Sequence, residues 1–311
     1  MLFRSRARIG QQVRIWPKAG VPDGAGLLES VCAGQSVRPG IFDPDGALRG
    51  HLNADLTPDY CLRLGLGCAA VFKGEAGICF RGGQGAQSCM LAFESGLRSG
   101  GVNTARIDAD SACSAAYSAR RLGFNGCAFF DQADDRLTIR LYARGGAALS
   151  DAQRLELEQA LACGVFSRVA PRDFGSAREV RGASEDYAAE ASAHAFPLPT
   201  GTQTPRVSLC GDARVCAVAE RALRAAGCRL CEPAPGRILL HLDDELSARG
   251  EDGNEITAQR LTALLTLMEL KLTRDAVTIP PDAPRAIDAL PEAAGRVTRG
   301  ESLLSDPVFA A

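Results

Sequence analysis

Short apolar runs alternate with helix-like segments from Thr57 to Cys163, and this alternation constrains the fold more than any other feature of the sequence. Thr57 is a favourable N-cap with proline at the next position, and Ser150 with Gln153 forms a capping box for a second helix. The apolar runs between the helical segments include Gly77–Phe80, Val102–Ile107 and Cys127–Phe130. Strands and helices that alternate at these lengths predict an α/β fold in three layers, with helices on both faces of a sheet.

One strand–turn–strand pattern within this region, Gly126–Tyr142, carries an acidic segment at its centre. An apolar run enters the segment Asp131–Asp135, and an alternating run from Leu137 to Tyr142 leaves it. Because α/β proteins place functional loops beyond the carboxyl ends of their strands, we expect the segment to be a loop in the position of a catalytic loop.

Changes of composition predict four segments along the 311 residues. Residues 1–40 are an unassigned basic extension, and residues 41–195 form the first α/β domain. A Pro/Thr/Gly-rich linker follows, after which residues 205–256 repeat the alternation in a shortened second domain. Residues 257–311 contain too few strands and helices for a complete layer structure and predict a partial third domain.

The composition is that of a soluble globular protein, with 46% hydrophobic and 23% charged residues and a net charge of -2. The basic residues are scattered, so we expect no nucleic-acid partner. No apolar run approaches the roughly 20 residues of a membrane helix, so we expect no membrane association. The 12 cysteines lack the paired spacing of a zinc site and are interpreted as structural thiols of a reduced, cytoplasmic protein.

Several motifs in order along the chain resemble those of the α-D-phosphohexomutases, the phosphoglucomutase/phosphomannomutase family. Phe42–Gly50 is similar to the Phe-Gly-Thr-(Ser/Asp)-Gly-Ile-Arg-Gly motif that opens the family, and Leu56-Thr57-Pro58 follows at the family's distance. Similar segments lie at residues 94–108, 116–130 and 246–256. The resemblance implies three-layer α/β/α domains with mixed sheets. It also implies intramolecular phosphotransfer between the 1- and 6-positions of a hexose phosphate, with Mg²⁺ as cofactor.

The residues that the resemblance places in the reaction depart from the family pattern. Gln132 occupies the position of the phosphoserine, and a primary amide cannot carry a phosphoryl group. Arg140 takes the place of the family's acid/base lysine, and a guanidinium stays protonated. Arg49 matches an arginine that faces the phosphoserine loop in the family. In this chain we expect Arg49 either to bind an anion or to pair with Asp131 or Asp134.

The implied metal and substrate positions are also reduced. Three aspartates hold Mg²⁺ in the family, and their positions here are Leu240, Leu242 and Asp244, with Asp243 a weak additional ligand. The retained substrate-binding candidates are Arg81 and, more weakly, Arg299. The resemblance also ends before the family's sugar-recognition motif and its phosphate-binding fourth domain, so we expect a C-terminally truncated member.

Together these features predict a catalytically impaired or inactive homologue that binds sugar phosphate or a protein partner. The alternative is an active phosphotransferase that another protein chain completes. The altered residues inside the retained domains favour the first interpretation.

Overall fold

The computed structural model describes residues 41–43, 45–195, 204–235, 237–243, 246–272, 276–280, 283–290, 293–300 and 306–310. Residues 42–311 form one compact unit, and the predicted basic extension lies outside the described residues.

Six strands form the first sheet, in the order β1-β5-β4-β2-β3-β6. Their bounds are β1 (Leu48–His51), β2 (Glu75–Arg81), β3 (Asn103–Ile107), β4 (Gly126–Ala133), β5 (Arg136–Ala143) and β6 (Ala177–Val180). β2 pairs in parallel with β3 and β4, and β3 with β6, whereas β5 is antiparallel to both β4 and β1. The sheet is therefore mixed, as expected.

Helices cover both faces of this sheet. They are α1 (Pro58–Phe72), α2 (Gln84–Ser99), α3 (Ala112–Arg121), α4 (Asp151–Cys163) and α5 (Ala183–Ala193). Neighbouring residues of β4 point to opposite faces. Phe130 meets Phe93 of α2, with ring centroids 5.4 Å apart, while Phe129 belongs to a buried cluster with Ala115 and Ala119 of α3. The three-layer α/β arrangement predicted from the sequence is confirmed.

The local signals of the helices are also observed. The Thr57 side chain accepts a hydrogen bond from the Tyr60 amide, and Ser150 forms the predicted capping box with Gln153. α1 and α2 pack closely at Gly65, which has no side chain. A Cβ at this position would lie 2.1 Å from the Phe93 carbonyl oxygen, too close for any other residue.

Five strands form the second sheet, in the order β11-β10-β9-β7-β8. The elements of this region are β7 (Arg206–Gly211), α6 (Ala213–Ala225), β8 (Arg229–Leu230), β9 (Ile238–Leu242), β10 (Leu246–Arg249), β11 (Glu255–Ile256) and α7 (Ala258–Leu272). Val207, Leu240 and Leu242 lie in one buried cluster with apolar side chains of α6. The opposite face carries Ser208 and Leu239, which are direct neighbours across the sheet.

The last described strands, β12 (Val277–Ile279) and β13 (Val297–Arg299), pair in parallel. A helix α8 (Pro307–Ala310) follows. Between these two strands the described residues include a 3₁₀ segment, Arg285–Ala289. The three sheets lie in the three ranges predicted as domains, but the domain division itself stays a prediction. No helix in the described part of the chain is long and apolar enough to cross a membrane.

The predicted strand–turn–strand pattern of Gly126–Tyr142 is observed, but its turn is shorter than the acidic segment Asp131–Asp135. β4 continues through Ala133, and β5 begins at Arg136, so only Asp134 and Asp135 form the turn. Asp134 has a φ of 54°, a left-handed conformation that aspartate tolerates in tight turns. The expected catalytic-type loop is therefore a two-residue hairpin turn.

Candidate functional site

Two charged side chains stand side by side where parallel strands β2 and β4 end. Arg81 and Asp131 are direct partners across these strands. The Arg81 guanidinium donates from Nε to Asp131 Oδ1 at 2.7 Å and from Nη2 to Oδ2 at 2.5 Å. This two-point geometry matches a planar guanidinium to a carboxylate. Arg81 also lies over the Phe129 ring, 5.9 Å from its centroid.

A third charged group reaches this pair from the second sheet. Asp212 is the N-cap of α6, and its Oδ1 accepts hydrogen bonds from the amides of Arg214 and Val215. Its Oδ2 accepts from Arg81 Nη1 at 2.5 Å. Arg81, Asp131 and Asp212 together are called the ion-pair cluster below, and they connect the two sheets.

A cavity of about 230 Å³ opens beside the ion-pair cluster. Its lining residues are Arg81, Ala112, Cys113, Phe129, Asp131, Arg140, Asp212, Val215 and Asp243. The cavity lies beyond the carboxyl ends of β2 and β4, in the position where open α/β sheets bind ligands. It contains three of the residues that the sequence singled out, Arg81, Arg140 and Asp243.

The charges that line the cavity are largely paired. Among the described lining residues, two arginines face three aspartates, which gives a net charge of −1. The hydrogen bonds to Asp131 and then to Asp212 raise the pKa of Arg81 against the effect of its burial. Burial raises the pKa of Asp212, but hydrogen bonds from Arg81 and the Arg214 amide outweigh it, so the net shift is downward. Arg81 and Asp212 therefore hold each other in their charged forms.

Gln132 lies outside this cavity because it follows Asp131 in an extended strand and points to the opposite face of the sheet. Its Oε1 accepts a hydrogen bond from the Ala86 amide in the first turn of α2, at 3.0 Å. Its Nε2 donates to the Asp134 carbonyl at 2.9 Å. The side chain thus caps a helix that has no side-chain cap of its own.

Arg49 does not meet the acidic turn, so the alternative in which it pairs with Asp131 or Asp134 is wrong. Its Nη1 donates to Asp43 at 3.1 Å and to Asp45 at 2.8 Å, and its Nη2 also bonds Asp45. The hydrogen bond from Arg49 lowers the pKa of Asp45 to about 2. Arg49 is therefore engaged by the carboxylates of its own loop.

The positions implied for Mg²⁺ do not fit the ion. Leu240 and Leu242 are buried in the core of the second sheet and have no oxygen to offer. Asp243 accepts a hydrogen bond from the Asp212 amide at 2.9 Å, and Asp244 lies outside the described residues. Within the part of the chain that the structure describes, no group of three or more His, Cys, Asp or Glu side chains is placed to hold a metal.

Arg299 lies on β13, away from the cavity-lining residues. Its guanidinium donates to the Ala283 carbonyl at 2.7 Å and to Asp288 at 2.8 Å. The described structure does not bring it together with Arg81 and Arg140.

Asp212 is the site residue that sequence reasoning missed. The signal was present in the sequence. Gly211 and then Asp212 follow an apolar run and precede a helical segment, and an aspartate in that position is a typical N-cap at a strand's carboxyl end. Its contact with Arg81 bridges 131 residues of sequence. Such a long-range contact has no local pattern in one sequence.

Comparison with known proteins gives matches among solved structures alone. No family model matches the chain, and no curated protein sequence matches it. A phosphoglucomutase/phosphomannomutase family protein from Burkholderia thailandensis is similar with a TM-score of 0.58 at 15% identity, covering 82% of this chain and 64% of that protein. A protein assigned as a phosphomannomutase from Thermus thermophilus is similar with a TM-score of 0.57 at 14% identity, covering 84% of this chain and 68% of that one.

These similarities confirm the family resemblance at the level of the fold. At 14–15% identity they carry no statement about activity, substrate or cofactor. The chain spans 64% of the length of the Burkholderia protein.

Proposed function

We propose that this chain is a phosphomutase-fold protein without mutase activity. The observation that carries the proposal is the ion-pair cluster, in which Asp131 and Asp212 hold the guanidinium of Arg81. A phosphate group that entered the cavity would have to displace at least one of these carboxylates and would meet a net negative lining. The cavity therefore satisfies its own charges instead of presenting them to a substrate.

The position implied for the nucleophile supports the same conclusion. Covalent phosphotransfer requires a group that can accept a phosphoryl group, which the Gln132 amide is not. The Gln132 side chain also bonds the Ala86 amide on the face of the sheet away from Arg140. A serine at this position would be directed towards α2.

The donor set supports no role for Mg²⁺ at the implied metal positions. Leucine side chains replace two of the three carboxylates, and Asp243 is occupied by the Asp212 amide. We therefore assign no reaction step to a metal in this chain.

An assay of mutase activity tests the proposal. The purified chain is incubated with glucose 1-phosphate, Mg²⁺ and glucose 1,6-bisphosphate, and formation of glucose 6-phosphate is followed. Loss of a covalent nucleophile costs on the order of a million-fold, so we expect no turnover above the background. Turnover within a few orders of magnitude of ordinary enzymes would contradict the proposal.

The variant Gln132→Ser sharpens the assay. We expect it to remain inactive, because its hydroxyl would point away from the cavity that contains Arg81 and Arg140. A gain of activity from this single change would mean that the hairpin opens into a loop and that the cleft is still competent.

Sugar-phosphate binding is a second candidate function, favoured because Arg81 and Arg140 line one cavity. Titration calorimetry with glucose 6-phosphate tests it, with Arg140→Gln as the cavity variant and Arg178→Gln, which alters an exposed pair with Glu75, as the matched control. Binding lost in the first variant alone would support retained recognition. Absence of binding in the unaltered chain would leave assembly with a protein partner as the remaining role.

The alternative of an active enzyme completed by another chain makes a stricter demand. The second chain would have to supply both a nucleophile and metal ligands, since Gln132, Leu240 and Leu242 have neither. Activity that appears only when a partner protein is added would identify this case.

A further inference from the structure

A second and larger cavity, of about 460 Å³, lies on the face of the second sheet opposite to its buried cluster. Its lining residues are Ser208, Pro233, Ala234, Pro235, Arg237, Leu239, Arg249, Gly250 and Gly253. The sheet supplies Ser208, Leu239 and Arg249, which are direct neighbours across three adjacent strands. We call this space the open-face cavity. Its volume is within the range of small-molecule sites.

The Ser208 hydroxyl is an unsatisfied polar group in the floor of this cavity. Ser208 is 1% exposed, and its Oγ has no hydrogen-bond partner among the described residues. Buried hydroxyls are almost always hydrogen-bonded in folded proteins, so an unpartnered one requires an explanation. A bound ligand that accepts or donates a hydrogen bond here supplies one.

Two arginines give the open-face cavity a positive lining. Arg237 donates one hydrogen bond, from Nη1 to the Glu232 carbonyl at 2.5 Å, and its other guanidinium N–H groups have no partner among the described residues. Arg249 is exposed and takes part in no ion pair in the described part of the chain, although Glu255 is its neighbour on β11. No acidic residue is among the described residues that line the cavity. The charge of this described lining is therefore +2, opposite in sign to that of the described lining beside the ion-pair cluster.

The remaining walls are apolar and determine what kind of anion would fit. Pro233, Ala234 and Pro235 form one side, and Leu239 lies on the sheet between Ser208 and Arg249. A free inorganic anion would leave these walls in contact with water. An anionic head group attached to a compact apolar body would cover them.

We propose that the open-face cavity binds a phosphate monoester with an apolar body. The phosphate oxygens accept hydrogen bonds from Arg237, Arg249 and the Ser208 hydroxyl, and the apolar body contacts the proline-rich wall and Leu239. Arginine suits this role because its planar fork of donors matches phosphate oxygens. The site is independent of mutase activity and lies apart from the ion-pair cluster.

Titration calorimetry of the full chain with phenyl phosphate tests this proposal. Phenol and inorganic phosphate are the two partial probes, and each is expected to bind much more weakly than the ester because it satisfies only one part of the cavity. The variants Arg249→Gln and Ser208→Ala are each expected to weaken phenyl phosphate binding by about tenfold or more, since each removes a hydrogen bond to a charged group.

Two control variants separate the site from general electrostatics and from the other cavity. Arg221→Gln removes an exposed positive charge from α6, which packs on the opposite face of the second sheet, and Arg140→Gln alters the cavity beside the ion-pair cluster. Both are expected to change the affinity by less than about twofold, because exposed charges at a distance are screened. No saturable binding to the unaltered chain, equal weakening by Arg221→Gln, or an unchanged affinity in Ser208→Ala would each overturn the proposal.

Discussion

The two larger sheets both combine parallel and antiparallel strand pairs, but their buried polar side chains find hydrogen-bond partners in different ways. Helices pack on both faces of the first sheet, and its buried polar side chains bond each other. Thr104 donates to Glu94 at 2.8 Å, and Arg106 donates to the same carboxylate. In the second sheet the described apolar cluster lies on one face, and on the other the Ser208 hydroxyl has no partner among the described residues.

This difference shows how layer coverage determines where a polar group finds its partner. Between two packed layers, a buried hydroxyl or carboxylate must be satisfied from within the chain, because water is excluded. Beside a cavity, the same type of group can be satisfied by a ligand instead. The open-face cavity is therefore where we propose that the Ser208 hydroxyl finds its partner.

The largest expected effect comes from restoring a carboxylate at an implied metal position. Leu242→Asp places a charge at a fully buried site in the second sheet, with a cost on the order of 4 kcal/mol in the free energy of unfolding. Leu239→Asp, on the face that lines the open-face cavity, is the control and should cost about 1 kcal/mol because Leu239 is only half-buried. Urea unfolding with and without Mg²⁺ measures both. Recovery of Leu242→Asp by Mg²⁺ would mean that a metal site forms after all.

The next effect concerns the connection between the two sheets. Arg81→Met leaves Asp131 and Asp212 partly buried, 16% and 22% exposed, without their shared cation. We expect a loss of about 2 kcal/mol in the free energy of unfolding, less than for a fully buried pair because solvent screens the cluster. The exposed Arg178–Glu75 pair is the control, and Arg178→Met should cost no more than about 0.5 kcal/mol. Equal effects in urea unfolding would show that the ion-pair cluster contributes no more than a surface pair.

A matched pair of hydroxyl deletions tests the comparison of the two sheets directly. Thr104→Val removes a donor from the buried Glu94 carboxylate and should lower the free energy of unfolding by about 1.5 kcal/mol. Ser208→Ala removes a buried hydroxyl that makes no hydrogen bond to the described residues. In the absence of ligand, this change should therefore raise the free energy of unfolding by up to about 1 kcal/mol. Thermal and urea unfolding measure both variants. A destabilised Ser208→Ala protein would mean that the hydroxyl is already satisfied.

The smallest effect is a pH dependence at the edge of the first sheet. The pKa of Asp45 is about 2 in the folded chain, against an ordinary value of 3.8, chiefly through its hydrogen bond from Arg49. Because the folded pKa is depressed, the stabilisation is complete above about pH 4 and is lost as the pH falls through about 2. Both side chains are more than one third exposed, so the contribution is at most about 0.5 kcal/mol.

Carboxyl titration by NMR measures this small effect at its source. In Arg49→Gln, the pKa of Asp45 should return towards 3.8, since its strongest hydrogen bond is removed. An unchanged pKa of Asp45 in the variant would assign the shift to other groups. The conservative Arg49→Lys variant, which keeps the charge but loses the two-point geometry, should give an intermediate value.

The fold was predictable because its signals are local. Capping residues and apolar periodicity identified α4 over Asp151–Cys163 with its observed bounds, and the order of motifs pointed to the phosphomutase fold. Arg81, Arg140 and Asp243, which the resemblance singled out separately, line one cavity in the structure. Whether these residues act in the predicted roles remains a prediction.

What could not be predicted depended on contacts between distant parts of the chain. The choice of Asp212 as a partner of Arg81 is set by the packing of separate elements. The pairing of Arg49 with Asp43 and Asp45 is local, and it depended on the conformation of one loop. The position of Gln132 depended on one local detail, the length of the turn. With a turn of two residues, Gln132 belongs to the strand, and its direction follows from strand alternation.

The short hairpin at Asp134 and Asp135 also defines which change of the chain would redirect the side chain at position 132. In an extended chain, the insertion of one residue moves every following side chain to the other face. A single residue inserted after Asp131 would turn the Gln132 position from the N-terminus of α2 towards Arg140. A simple exchange of amino acids at Gln132 cannot do this. Regaining chemistry here is therefore a problem of chain length before it is one of residue identity.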